Sequence, residues 1–172
     1  MDRNPCRTRQ HLTRAATVAA AAAAVAALGA PTASASPSGD LWNLANSKHV
    51  SAGCAPYADN PALGNTALDI AKTMVNPPGG ILGNGRVPTD SMLADRGYFV
   101  TVWGEADYIN SDSAGSPQAA MDFWLANGTR DIFPNCAMKD MATAVWIQNG
   151  KWAAVLLAGS PGGTPPQPPV VH

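Results

Sequence analysis

Residues 142–158 read ATAVWIQNGKWAAVLLA, and this stretch indicates the fold class more clearly than any other part of the chain. Two runs rich in apolar and β-branched residues, 142–148 and 151–158, flank the pair Asn149-Gly150. Asn-Gly between such runs is the strongest short-range signal for a two-residue turn that joins antiparallel strands. The sequence therefore predicts a β-hairpin as the last regular element.

Upstream of this stretch, the sequence predicts four helices and one further strand. The helix signals are apolar residues at helical spacing and N-cap residues, two of them followed by proline at the first helical position. The predicted helices run from Asp40 to Ser51 with Ser38 or Asp40 as cap, from Asn60-Pro61 to Asn76, from Thr89 to Gly97 and from Ser116-Pro117 to Gly128. The β-branched and aromatic run from Tyr98 to Trp103 predicts a strand. This order indicates an α+β fold with an antiparallel sheet of about three strands.

The first 35 residues have the features of a signal peptide. Basic residues up to Arg14 precede an apolar run from Ala15 to Ala30, and Ala33-Ser34-Ala35 places small residues where a signal peptidase cleaves. The run of about 16 residues is shorter than the ~20 that a membrane-spanning helix needs. We therefore expect residues 1–35 to be removed and the protein to be secreted, outside the cell or into its envelope. Retention of the segment as an anchor is the alternative.

The rest of the chain is interpreted as one domain, residues 36–159, followed by a disordered proline-rich tail, residues 160–172. The chain carries 11 Lys and Arg against 12 Asp and Glu, a formal net charge of −1. That balance excludes the polybasic surface typical of nucleic-acid binders. After cleavage no stretch is apolar enough for a stable membrane span, so we expect neither nucleic acid nor a bilayer as a partner.

Two cysteines lie in the expected mature domain, Cys54 and Cys136, 82 residues apart. In an exported protein such a pair most simply forms one disulfide. A metal-binding pair or a catalytic thiol are the other possibilities, and both need partner residues that the sequence does not provide. His49 is the nearest candidate base for a Cys54 thiol, and that chemistry requires the disulfide to be absent.

Four motifs, taken together, resemble the CAP superfamily of cysteine-rich secretory and antigen-five-like proteins, also called SCP domains. The matching stretches are residues 53–56, 60–74, 97–106 and 124–136. The resemblance covers the chain from Asp40 to Gly159 and is to the short, secreted bacterial members of actinobacterial type. It implies an α-β-α sandwich, with about four helices around a small antiparallel sheet that ends in the hairpin.

The resemblance also implies a cavity, which many members line with two histidines and two acidic side chains. Glu105, the only glutamate in the chain, matches one acidic position, and Asp140 falls near the other. The two histidine positions are not matched, and Lys151 stands near one of them, where it would repel a cation. A metal site needs several converging imidazoles or carboxylates, so we expect this cavity to be degenerate, with no metal and no cofactor.

Two hypotheses of function follow from this pattern. The first is a secreted, non-enzymatic module that binds an apolar small molecule or a cell-envelope component, with the glycine-rich stretch 79–87 bordering a groove. The alternative is a cell-wall-directed hydrolase that uses Glu105 and Asp140 as its two carboxyl groups. We expect Glu105 to be structural, held by a hydrogen bond or by Lys151 or Arg130, since buried charges are generally paired.

The five tryptophans are expected to lie in the core rather than to form a sugar-stacking surface. Trp146 and Trp152 stand one in each strand of the predicted hairpin and could form a cross-strand pair.

Overall fold

The computed structural model describes residues 36–77, 89–112 and 114–163. The predicted signal peptide, the glycine-rich stretch 79–87 and the tail beyond residue 163 lie outside this part. The elements in chain order are α1 (Pro37–Ser51), β1 (Ala58–Asp59), α2 (Pro61–Val75), α3 (Thr89–Asp95), β2 (Val100–Asn110), α4 (Pro117–Ala126), a 3₁₀ turn (Thr129–Ile132), β3 (Asp140–Gln148) and β4 (Lys151–Pro161). The fold is α+β, as predicted, with four helices among the described residues.

Three helices begin with the same local device, a polar cap followed by proline. The side chains of Ser36, Asn60 and Ser116 accept hydrogen bonds from backbone N–H groups in the first turns of α1, α2 and α4. The caps of α2 and α4 are as predicted. The prediction of Ser38 or Asp40 as the cap of α1 is wrong, because Ser36-Pro37 carries the same cap-plus-proline signal closer to the expected cleavage site.

The sheet has four strands in the order β1-β3-β4-β2 and is mixed, not purely antiparallel. β4 pairs antiparallel with β3 and with β2, while the two-residue strand β1 pairs parallel with β3 through Ala58↔Asp140. So short a strand has no periodicity that a sequence could reveal. β2 also continues past its predicted end at Trp103, as far as Asn110. Gly104 is paired with Ala158 inside the ladder, and a Cβ there would lie 2.9 Å from the side chain of Ile132.

Asn149 and Gly150 connect β3 to β4 with positive φ angles of 54° and 71°. These are the conformations that a two-residue turn of this kind requires. The register pairs Trp146 with Ala153 and Ile147 with Trp152. Residues next to each other along a strand point to opposite faces, so Trp146 and Trp152 lie on different faces, and the suggested cross-strand pair is wrong.

Two apolar clusters pack against the sheet, and alternate residues of β4 belong to one or the other. Leu156 lies in a cluster with residues of α1 and α4, such as Leu41 and Trp124. Leu157 lies in the other cluster with residues of α2, such as Leu63. Because successive side chains of a strand point to opposite faces, the two clusters lie on the two faces of the sheet.

The predicted disulfide between Cys54 and Cys136 is confirmed, with the two Cα atoms 5.1 Å apart.

The last strand, β4, extends to Pro161, into the segment interpreted as the tail. The N–H groups of Gly162 and Gly163 then donate to the carbonyl of Phe99, which holds these two residues beside the start of β2. No helix in the described part of the chain is long and apolar enough to cross a membrane.

Candidate functional site

The outermost strand, β2, carries a row of four side chains on one face: Trp103, Glu105, Asp107 and Ile109. We call this row the outer-strand face. The register pairs Glu105 with Leu157, which places the row on the same side of the sheet as the α2 cluster. Trp103 is 36% exposed, so the expectation that the tryptophans lie in the core is wrong for this residue. Ile109 is 46% exposed, whereas one carboxylate oxygen of each acid between them is buried.

Glu105 accepts a hydrogen bond from the hydroxyl of Thr89, the first residue of α3. Thr89 is itself buried, so this bond ties the start of α3 to the middle of β2. The expected hydrogen bond of Glu105 is therefore present, and it comes from a residue that the sequence did not single out.

The two cations expected beside Glu105 lie elsewhere. Lys151 pairs with Gln148 at the turn. It lies about 20 Å along β4 from Leu157, the residue that pairs with Glu105. Arg130 lies in the 3₁₀ turn, whose Ile132 packs in the α1–α4 cluster on the opposite face. The structure thus corrects the expectation of an ion pair with either residue.

Asp107 belongs to the same row and was missed by the sequence analysis. The predicted strand ends at Trp103, before the alternation of acid, alanine and acid at 105–107. In a strand that continues through these residues, this alternation indicates a pair of carboxylates on one face, about 7 Å apart along the strand.

Asp140, the second predicted acid, is held by two hydrogen bonds on one oxygen. The hydroxyl of Tyr98 donates to Oδ2 at 3.0 Å and the amide of Asn60 donates to the same atom at 3.2 Å. Burial, together with this bond to a carboxylate, raises the pKa of Tyr98 above its ordinary value. Since Asn60 also caps α2, Asp140 joins the start of that helix to the start of β3.

Glu105 and Asp140 lie on the same face of the sheet but are not neighbours. Asp140 pairs with Gly159, and Gly159 pairs with Trp103, two residues before Glu105. Two strand spacings and two residues of rise put their Cα atoms about 12 Å apart. Each carboxylate is also bonded to a different partner, Thr89 or Tyr98 with Asn60.

His49 is buried at the end of α1, away from the outer-strand face. Its Nδ1 lies 2.6 Å from the carbonyl oxygen of Phe133, which can only accept, so Nδ1 carries the proton of this hydrogen bond. The imidazole stacks on the ring of Tyr57 with centroids 3.7 Å apart. Because Cys54 is in the disulfide, it offers no thiol for His49 to activate.

Within residues 36–77, 89–112 and 114–163, no group of three or more His, Cys, Asp or Glu side chains is placed to hold a metal ion. The described site can therefore offer carboxylates and hydroxyls as hydrogen-bonding groups, with apolar surface at both ends of the row.

The fold is similar to that of two solved bacterial proteins. One is an outer surface protein from Borrelia burgdorferi, with a TM-score of 0.60 and 9% identity over 71% of this chain and 90% of that one. The other is an extracellular protein from Bacillus anthracis that contains an SCP domain, with a TM-score of 0.52 and 15% identity. That match covers 70% of this chain but only 39% of the Bacillus chain. No protein-family model and no curated protein sequence matches the chain.

These similarities support a CAP-like fold, in agreement with the resemblance found in the sequence motifs. At such low identity they concern the fold alone. The chemistry of the site has to be argued from this chain's own residues.

Proposed function

We propose that this protein is a secreted, non-enzymatic CAP-like module that binds an apolar ligand or a cell-envelope partner through the outer-strand face. In this proposal the protein is a short bacterial domain of actinobacterial type. Its fold is an α-β-α sandwich whose cavity has lost its metal-binding histidines, and its signal peptide is removed on export.

The observation that carries the proposal is where apolar surface is left exposed. Two of the large hydrophobic side chains that are exposed in the described part of the chain, Trp103 and Ile109, lie on β2. Phe123, 45% exposed on α4, packs its ring against Tyr108 at 5.4 Å. Tyr108 points to the face of β2 opposite the row, so exposed apolar side chains lie on both faces of this edge strand. Scattered single apolar residues are ordinary on protein surfaces, but a concentration of them marks an interaction site. β2 is also the last strand of the sheet, and an edge strand can pair with another chain.

The placement of the acids favours binding over hydrolysis. A glycosidase holds its two carboxyl groups about 5–9.5 Å apart across the scissile bond. The Cα atoms of Glu105 and Asp140 are about 12 Å apart, and each carboxylate is held by separate hydrogen-bond partners. The hydrolase alternative would require both side chains to leave these partners.

Secretion is supported by the confirmed disulfide together with the targeting features of residues 1–35, because disulfides persist in oxidising compartments. Expression of the full chain in a bacterial host, followed by N-terminal sequencing of the exported protein, tests this directly. We expect the mature chain to begin at residue 36. A chain that keeps Met1 and stays with the membrane fraction would contradict cleavage.

Ligand binding can be tested with cis-parinaric acid, a fluorescent fatty acid, and with sedimentation onto purified bacterial envelope fragments. We expect at least one of these probes to bind, and both Trp103→Ser and Ile109→Ser to weaken binding at least tenfold. Ile147→Ser is the matched control, since Ile147 is 53% exposed but lies on β3 near the turn. Equal losses in all three variants would contradict a role for the outer-strand face.

The hydrolase alternative can be tested with the same protein and bacterial envelope fragments. Release of soluble fragments from cell-wall glycan that is abolished by Glu105→Gln, with no binding of either probe, would replace the binding module with a hydrolase.

A further inference from the structure

An open hollow of about 440 Å³ lies at the other edge of the sheet, between the first turns of α1 and strands β1 and β3. Its lining residues are Ser38, Gly39, Trp42, Asn43, Asp59 and Thr143. The volume falls in the range of small-molecule sites, about 300–1,000 Å³. None of these residues belongs to the outer-strand face.

Trp42 gives the hollow an apolar wall. The residue is half-buried and packs against the α1–α4 cluster. Its indole Nε1 is fully buried, so the part of the side chain that reaches solvent is hydrocarbon. A hydrocarbon aromatic surface beside a few polar groups is the usual make-up of a ligand pocket.

The polar groups around the wall supply both donors and acceptors. The hydroxyl oxygen of Ser38 accepts from the N–H of Val145 at 3.0 Å, which leaves its own proton available to donate. Within the described part of the chain, the side chains of Asn43 and Asp59 form no hydrogen bond or ion pair. Asn43 can both donate and accept, and the Asp59 carboxylate accepts.

This combination fits a ligand that carries several hydroxyl groups. Each hydroxyl is at once a donor and an acceptor, whereas an ammonium ion could not accept from Ser38 or Asn43. Asp59 is the one charged residue among the lining residues, so an anionic ligand would be repelled. The C–H faces of a pyranose ring can pack on the exposed carbon surface of Trp42 while its hydroxyls reach the polar rim.

We propose that this hollow is a binding site for a neutral carbohydrate unit, with Trp42 as the packing surface and Asn43 and Asp59 as the hydrogen-bonding residues. The site is independent of the function proposed for β2, because the two lie at opposite edges of the sheet.

Isothermal titration of the exported full-length protein with chitotetraose, cellotetraose and maltotetraose tests the proposal. We expect at least one of these neutral tetrasaccharides to bind, and Asp59→Ala and Asn43→Ala each to raise Kd at least tenfold. Both positions are exposed, so the variants should fold, as unchanged urea midpoints would verify. Asp95→Ala, which removes an exposed acid from α3, should leave Kd unchanged, and so should Trp103→Ser.

Three outcomes would overturn the proposal. None of the three sugars binds at millimolar concentration, binding is insensitive to Asp59→Ala and Asn43→Ala, or choline binds in an Asp59-dependent manner while the neutral sugars do not. Failure of sugar binding with intact Trp103-dependent binding of cis-parinaric acid would overturn this site and leave the function proposed for the outer-strand face in place.

Discussion

Two regions of the domain differ in how far their side chains are buried and hydrogen-bonded. One is the outer-strand face. The other, which we call the disulfide corner, consists of His49, Tyr57, Phe133 and the Cys54–Cys136 bond. There His49 and Tyr57 are 1% and 5% exposed, and the polar atoms of their rings bond to carbonyls of the segment after α4. On the outer-strand face, by contrast, Trp103 and Ile109 keep over a third of their surface in solvent.

This difference separates a region that maintains the fold from one that is available to a partner. In the disulfide corner, a covalent bond and hydrogen bonds from two rings join the end of α1 and the segment after it to residues far later in the chain. On the outer-strand face, one carboxylate oxygen of each acid is buried, and Glu105 is tied to Thr89. Substitutions in the corner should therefore affect stability, and substitutions at the ends of the row should affect binding.

The largest effect is expected from removing the disulfide. Closing a loop of 82 residues should stabilise the fold by about 3–5 kcal/mol in the chain-entropy model. The double substitution Cys54→Ala and Cys136→Ala should lower the free energy of unfolding by this amount, measured by urea denaturation at pH 7. A loss below ~1 kcal/mol would mean that the remaining contacts of the corner hold it without the bond.

A smaller loss is expected from Glu105, the structural link within the outer-strand face. Glu105→Ala removes the acceptor of the buried Thr89 hydroxyl, and a hydrogen bond to a charged group contributes about 1.5–3 kcal/mol. Glu105→Gln keeps an acceptor and should lose less. In a double-mutant cycle with Thr89→Val, the two losses should be non-additive. An unchanged urea midpoint in Glu105→Ala would argue against the structural role and favour the hydrolase.

Tyr57 gives the corner a dependence on alkaline pH. Burial raises the pKa of Tyr57 to about 12 from an ordinary value of 10.0. The folded state therefore holds the phenolic proton more tightly than the unfolded state. The resulting stabilisation is complete below about pH 10 and is lost as the pH rises towards about 12.

Tyr57→Phe should remove the contribution of this residue to the decline of the urea midpoint between about pH 10 and 12. At pH 7 it should cost about 1 kcal/mol, through the hydrogen bond to the carbonyl of Ile132. Tyr98, whose pKa is also raised, should account for a further part of the decline, and Tyr98→Phe measures it. A wild-type slope in Tyr57→Phe would contradict the assignment.

The smallest effect on stability is expected at the ends of the outer-strand face. Trp103 and Ile109 are 36% and 46% exposed, and Trp103→Ser and Ile109→Ser should change the free energy of unfolding by about 0.5–1 kcal/mol. Binding of the apolar probe should nevertheless fall. A loss of several kcal/mol would show that these side chains support the fold, and the contrast between the two regions would then no longer hold.

The sequence by itself determined the features that depend on residues close together in the chain. It also determined the disulfide, which depends on the number of cysteines and on the compartment. The caps at Asn60 and Ser116 act on backbone groups within three residues, so a cap followed by proline was sufficient to place them. Asn149-Gly150 marked the turn between β3 and β4 for the same reason. The Cys54–Cys136 bond followed because an exported chain with two cysteines has one simple pairing.

Only the tertiary structure decided the features that join distant segments. Asp140 receives its hydrogen bonds from Asn60 and Tyr98, 80 and 42 positions away, and β1 pairs with β3 across a similar distance. Contacts of this kind depend on register and on which face of the sheet a residue occupies, and neither leaves a local pattern in the sequence. For that reason the sequence named Glu105 and Asp140 as candidates, but only the fold showed that they are held apart by separate partners.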